Sequence, residues 1–197
     1  MTLPELHLAG WHPTKDTLHL YCQILGKIRL ATTPPRNHWW NVPLYVDVRG
    51  LTTRRLHHRG TTFEITIDVV DHALVVRTAD GRGGSFDLGG GLPVADFDAA
   101  IHQVLAELGI DVAIKEDPFG VPMTTPFAQD VTHGSWDREA IARFGRILDW
   151  SDLVAGEPTP RWLPPMSMSS VSRPDSGSGT VMSCAPKRSE TTTSLSS

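Results

Sequence analysis

The segment His38-Trp39-Trp40-Asn41 contains the residue types that could bind or act on a small molecule. An imidazole can donate, accept or shuttle a proton, and an indole can stack on a ring or a cation. His38 is therefore the candidate catalytic residue, and His38 and Trp40 are candidate ligand-binding residues. The alternative, which is slightly favoured, is an aromatic plug that closes one end of a sheet, with His38 held by a hydrogen bond.

The other candidate ligand-binding residues are polar or basic and lie in the first fifty positions: His19, Gln23, Lys27, Arg29 and Arg49. His19, Gln23 and Lys27 recur at intervals of four and would share one face of a helix. Such a face indicates either plain solvent exposure, which is the commoner case, or the lining of a cavity. Arg29 and Arg49 would add positive charge, so the expected ligand is a small anion.

The charges are distributed unevenly along the chain. Residues 17–63 hold seven Lys and Arg against Asp47 alone, whereas residues 64–154 hold 16 acidic and 6 basic side chains. This polarity can steer an anionic partner, or the two parts can simply attract each other in the fold. The basic run at 54–59 could hold nucleic acid, but no nucleic-acid-binding motif accompanies it and the acidic part would repel a polyanion. We predict a solvated hairpin loop there.

Metal and cofactor motifs are absent from the sequence. There is no His-Glu-x-x-His or paired-cysteine spacing, and the adjacent His57 and His58 would face opposite sides of a strand, so we expect no metal site. The glycine-rich segments at 89–91 and 80–84 are not accompanied by the other residues of a phosphate-binding or dinucleotide-binding motif, so we expect no cofactor. No Gly-x-Ser-x-Gly elbow is present, and whether the protein is an enzyme stays open.

Hydrophobic periodicity predicts the elements that position these residues. We expect helices over 16–33, 93–108 and 137–154, and strands over 41–48, 62–70, 74–78 and 85–88, with 110–114 compatible with another strand. The connections between the strands are too short for parallel crossovers. The predicted fold class is α+β, with a mostly antiparallel, meandering sheet packed against two or three helices.

The composition divides the chain into a domain at 1–154 and a tail at 155–197. The tail contains 11 Ser, 5 Thr and 6 Pro, a composition that predicts disorder. The two cysteines cannot form a disulfide framework, and we find neither a secretion signal nor an apolar stretch of membrane-spanning length. We therefore expect a cytoplasmic protein without a membrane partner, and the oligomeric state is not predicted.

Residues 11–150 resemble an uncharacterised bacterial family that is known only as a domain of unknown function. The resemblance rests on the motifs Q-I-L-G-K-I-R-L at 23–30, N-H-W-W-N-V at 37–42, L-Y-V at 44–46 and R-G-L-T-T at 49–53, followed in order by F-E-I at 63–65, D-H at 71–72, V-A-D-F at 94–97 and P-F at 126–127. It implies no known activity. It does imply a longer protein with a second half rich in histidine and aromatic residues. Nothing similar follows Val154, so we expect a truncated chain or a tail from a shifted reading frame.

The sequence is compatible with three functions. The leading interpretation is a cytosolic domain that binds, or acts on, a small anionic ligand in a groove beside the His-Trp-Trp segment. The alternative is a non-catalytic structural or protein-interaction domain. The weaker alternative is nucleic-acid binding through residues 54–59.

Overall fold

A computed structural model describes residues 3–35, 37–39 and 41–156, with side chains as far as Val154. These residues belong to one of the two compact units into which the chain divides, Met1–Pro158. Trp40 lies outside the described residues, and so does the predicted disordered tail from residue 157 onward.

The described residues form three α-helices: α1 at Leu8–Thr32, α2 at Val94–Glu107 and α3 at Arg138–Gly156. The predictions for α2 and α3 are confirmed, and Asp137 caps α3 by accepting from the backbone N–H of Glu139 and Ala140 at 2.9 and 3.1 Å. Within the described ranges, none of the helices has the length and hydropathy that a bilayer crossing requires.

Helix α1 begins eight residues before the predicted start and continues through Pro13. Proline lacks the N–H for a helical hydrogen bond, so Pro13 locally opposes the added turns. Tertiary packing stabilises the added turns, since Trp11 is buried with its ring centroid 5.1 Å from that of Phe144 on α3. The next turn of α1 is also stabilised by a tertiary contact, because the hydroxyl groups of Thr14 and Ser135 form a hydrogen bond of 3.1 Å.

Six strands form one antiparallel sheet in the order β1-β2-β4-β5-β6, and β3 pairs with β4 beside this path. The strands are β1 at Tyr45–Asp47, β2 at Gly50–Thr52, β3 at Leu56–His58, β4 at Thr61–Asp68, β5 at Ala73–Thr78 and β6 at Gly83–Asp87. The α+β class and the antiparallel meander are thus confirmed.

Two predicted segments differ from the structure. The run at 41–48 divides into a turn and the short strand β1, and Gly50 begins β2 instead of ending a strand. Residues 110–114 are not a strand, although Ile110 and Val112 are buried. Their apolar character reflects burial in the core, which a short apolar run cannot distinguish from strand formation.

The core lies between the helices and one face of the sheet. The predicted inward face of β4 is confirmed, because Phe63, Ile65 and Ile67 are all at most 2% exposed. Tyr21 of α1 stacks on Phe97 of α2 with ring centroids 3.8 Å apart, and the two helices therefore pack directly against each other. The other side chains of α1 in the same cluster are Leu18, Leu20, Ile24, Leu25 and Ile28. Burial of this apolar surface is the main stabilising contribution.

Candidate functional site

The His38-Trp39 segment forms a short 3-10 turn, Asn37–Trp39, and not the entrance to a strand. Both residues have a left-handed backbone, with φ of 56° and 59°. Side chains other than glycine adopt this conformation at an energetic cost, and the cost is highest for bulky residues. The indole of Trp39 is 70% exposed. The turn thus presents an aromatic ring to solvent beside the exposed His38.

The polar face of α1 packs against the loop that follows α2. Gln23 binds the backbone of Phe119 twice, as its amide donates to the carbonyl at 3.0 Å and accepts from the N–H at 2.8 Å. His19 is exposed with a ring nitrogen 3.4 Å from the same amide. Lys27 Nζ lies 5.6 Å from the centroid of the Phe127 ring. This face therefore includes a loop-docking contact, which neither plain exposure nor cavity lining anticipated.

The pKa of Lys27 is shifted at this contact. Partial burial lowers its pKa, the nearby carboxylates of Asp117 and Glu116 act in the opposite direction, and Lys115 adds to the lowering. The ammonium group therefore lies in a mixed field of acidic and basic side chains from the loop. It is not an isolated positive charge that awaits an anion.

Arg49 is held by two acidic side chains. Its Nε donates to Asp68 Oδ2 at 2.7 Å, and its Nη2 donates to Asp71. These contacts raise the pKa of Arg49, the hydrogen bond to Asp68 most of all. The charge that the sequence analysis assigned to a ligand is thus balanced within the fold.

Arg29 is buried in the protein with its guanidinium beside an aromatic ring. It is 5% exposed, donates from Nη1 to the carbonyl of Thr53, and lies 5.1 Å from the centroid of the Tyr45 ring. Arg54 lies 3.9 Å from the centroid of the same ring. Tyr45 is consequently in contact with two guanidinium groups, an arrangement that cation–π attraction favours.

Tyr45 was not among the candidates predicted from the sequence, and Arg54 was a candidate only for nucleic-acid binding. Arg54 belonged to the predicted solvated loop at 54–59, but Leu56–His58 forms β3, so the loop prediction is wrong for these three residues. Pairing with β4 at Leu56 and Phe63 buries Leu56 and explains the strand. A tyrosine close in sequence to several arginines was the available signal, but its contacts depend on strand pairing.

An apolar groove of about 400 Å³ lies between α3 and the first strands of the sheet. It is lined mainly by small and branched apolar side chains, including Val46, Val48, Val70, Ala142 and Leu148. Of the six predicted ligand-binding residues that the structure describes, none lines it. The groove and the predicted ligand site are therefore separate features.

The structure also contains a cluster of possible metal-binding side chains, which the sequence analysis did not predict. Asp98 and His102 of α2 and Glu116 of the following loop bring one potential ligand atom each within 4.8 Å of one another. The spacing of Asp98 and His102 by four residues was readable from the sequence as one helix face. The approach of Glu116 was not, since it depends on how the loop after α2 folds back.

The predicted ligand residues thus fall into separate groups. His19, Gln23 and Lys27 share the face of α1 that meets the loop, Arg29 lies at Tyr45, and Arg49 lies at Asp68. In the part of the chain that the structure describes, no hydrogen bond or ion pair joins His38 to another member of the set. Trp40 is outside that part. The described members of the set therefore make their contacts with different partners.

The comparisons with known proteins give a family and no function. A family model described as a family of unknown function, DUF5996, matches residues 3–164. No curated protein and no solved structure matches the chain. The matched residues include all three helices and the whole sheet. On the strength of this match, the chain belongs to DUF5996, a family of unknown function.

Proposed function

We propose that this domain binds a small anionic ligand at the surface formed by Tyr45 and Arg54, next to the buried Arg29. The observation that carries the proposal is that the two guanidinium groups lie within 5.1 Å of the centroid of one tyrosine ring. The exposed guanidinium of Arg54 adds positive charge at this ring, and positive charge attracts a carboxylate or phosphate. A guanidinium also presents paired N–H donors that match both anions.

This proposal moves the site away from Arg49, which Asp68 and Asp71 already neutralise. Of the originally expected cations it retains Arg29, whose buried position would fix the geometry of the site. It adds Arg54, whose side chain is exposed and can reach a ligand from solvent. No catalytic step is assigned to His38.

A titration with inorganic phosphate at constant ionic strength tests the proposal, with citrate as a tricarboxylate probe. Binding to the folded state raises the melting temperature by mass action, so we expect a saturable rise for the wild type. Arg54→Gln should abolish most of this rise. Arg59→Gln is the matched control, because Arg59 is an exposed arginine of the same segment and forms a loose ion pair with Asp111 at 3.7 Å.

Failure of both anions to give a saturable shift would contradict the proposal, and so would equal shifts in the Arg54 and Arg59 variants. An equal loss in both variants, together with retention of DNA or RNA at moderate salt, would instead indicate the nucleic-acid interpretation. The protein-interaction interpretation draws its support from Trp39, whose indole is 70% exposed. The cytoplasmic location, the bacterial origin and the truncation stay predictions.

A further inference from the structure

Helix α2 and the loop after it bring together three side chains that commonly bind metal ions. Asp98 and His102 lie one turn apart on α2, with Oδ1 of the aspartate 3.6 Å from Nε2 of the histidine. Glu116 comes from the loop, and one oxygen or nitrogen of each of the three side chains lies within 4.8 Å of the others. Two carboxylates and one imidazole thus converge from two different segments.

Asp98 provides an independent reason to expect an occupant. Its side chain is only 8% exposed, and among the described residues no group donates a hydrogen bond to its buried Oδ1. A buried carboxylate oxygen without a donor carries a desolvation penalty that folded proteins normally avoid. The unsatisfied atom is the one that faces His102, so it points into the cluster.

The charges around Asp98 strengthen this reasoning. Burial raises the pKa of Asp98, the neighbouring Glu116 raises it further, and only His102 opposes the shift. Two acidic groups therefore repel each other in a poorly solvated place. A cation between them would remove both the repulsion and the missing contact.

Glu116 is held in place by the backbone of the next turn. Its Oε2 accepts from the N–H of Ala128 at 3.3 Å, and its carbonyl oxygen accepts from the N–H of Phe127 at 3.0 Å. Lys27 and Lys115 are the basic groups of this region. They would reduce the affinity for a cation, and the carboxylates of Glu116 and Asp117 act against them.

We propose that Asp98, His102 and Glu116 bind a divalent transition-metal ion, with Zn²⁺ preferred over Mn²⁺. Carboxylate oxygen and imidazole nitrogen bind Zn²⁺ at about 2.0 to 2.2 Å, so the three ligand atoms must move closer by small side-chain rotations. The general order of divalent affinities places zinc above manganese for such ligands. Three protein ligands leave a position for water, and the bound metal would make that water more acidic.

The proposal is independent of the anion site at Tyr45, and the experiment keeps the two apart. Metal-free full-length protein, with any histidine tag removed, is titrated with Zn²⁺ by calorimetry and by dialysis followed by metal analysis. We expect one ion per chain for the wild type. Asp98→Asn, His102→Gln and Glu116→Gln should each weaken binding by at least about 100-fold, more than the loss of an outer contact.

The pair His12 and Asp16 of α1 supplies the matched control. It has the same four-residue spacing and a contact of 3.0 Å, but it is not part of the three-residue cluster. His12→Gln should therefore bind Zn²⁺ as the wild type does. Zinc should also raise the melting temperature of the wild type and of His12→Gln but not of His102→Gln, and the latter's own unfolding transition shows that it is folded.

Two results would overturn the proposal. One is the absence of stoichiometric Zn²⁺ or Mn²⁺ binding by the wild type. The other is wild-type affinity in Asp98→Asn and His102→Gln, which would place any bound ion elsewhere. Loss of phosphate binding in the Arg54 variant bears on neither result.

Discussion

Arg49 and Asp68 join neighbouring strand ends through a charged hydrogen bond, with Nε of the arginine 2.7 Å from Oδ2 of the aspartate. The other oxygen of Asp68 accepts from the backbone N–H groups of Val70 and Asp71, each at 2.9 Å. The carboxylate is 5% exposed, whereas the Arg49 side chain is 39% exposed. Asp68 is therefore the anchor of the turn between β4 and β5, and Arg49 covers it.

Loss of Asp68 should be more damaging than loss of Arg49. Asp68→Ala leaves two backbone N–H groups without their acceptor, and we expect a decrease of about 2 to 3 kcal/mol in the free energy of unfolding. Arg49→Gln removes a partly exposed ion pair that solvent screens, and it should lower the free energy of unfolding by much less than Asp68→Ala does. Urea denaturation at neutral pH measures both changes. Equal costs would mean that the ion pair, and not the turn, is the stabilising element.

The same contacts determine how Asp68 responds to acid. Burial alone would raise its pKa, but hydrogen bonds from Asp71, Arg49 and Val70 outweigh burial and the pKa lies below its ordinary value. The stabilisation from this group is thus complete above the unfolded pKa of about 3.9 and is lost as the pH falls through the folded value. In urea titrations, the stability difference between wild type and Asp68→Asn should narrow as the pH falls below about 4. A difference that stays constant there would contradict this assignment.

Gly50 lies where two strand pairings meet, opposite Asp47 of β1 and Asp68 of β4. Its φ is +139°, and a Cβ atom there would lie 2.3 Å from the carbonyl oxygen of Ile67. Gly50→Ala should therefore lower the free energy of unfolding by at least about 3 kcal/mol, through backbone strain and a clash with the main chain.

Gly60→Ala is the control that separates strain from the clash. Gly60 also has a positive φ, of 89°, but a Cβ there meets nothing within 4 Å. We expect a cost of only about 1 to 2 kcal/mol for strain alone. Chemical denaturation of both variants measures the two decreases in the free energy of unfolding. Equal decreases would show that the contact between a Cβ atom at position 50 and the Ile67 carbonyl has no effect.

The helices and the inward face of β4 could be predicted because their signals are local. Phe63, Ile65 and Ile67 alternate along the chain, and the apolar stripe of α2 repeats with helical spacing. The start of α1 could not be predicted, because Pro13 opposes it locally and the packing of Trp11 on Phe144 overrides that preference. Phe144 is more than one hundred residues away in sequence.

The residue types of the candidate sites could be read from the sequence, but their partners could not. Arg49 is basic wherever it lies, yet its pairing with Asp68 depends on the register of β2 and β4. The spacing of Asp98 and His102 predicts a shared helix face, yet the third member of that cluster is placed by a loop. Residue type and spacing therefore predict which side chains could bind a ligand. Only the tertiary contacts show which of these side chains already have an oppositely charged partner in the fold.

His72 and Trp136 form a buried polar contact between the β4–β5 turn and the segment before α3. The indole Nε1 of Trp136 donates to Nδ1 of His72 at 3.3 Å, so this nitrogen must carry no proton. Burial lowers the pKa of His72, and Arg138 lowers it further, while Asp68, Asp87 and Asp71 act in the opposite direction. The folded protein thus favours the neutral imidazole.

The lowered pKa of His72 should make the domain less stable in mild acid. The unfolded chain takes up a proton at about pH 6.5, before the folded chain does, so stability is complete above that pH and decreases as the pH falls through the folded pKa. His72→Asn, which tolerates the φ of 53° at this position, should remove this part of the pH dependence. Urea midpoints of both proteins between about pH 5 and 8 measure the difference. His57→Asn, at an exposed strand residue, should keep the wild-type slope. A His72→Asn protein with the full wild-type slope would mean that another group controls stability in this range.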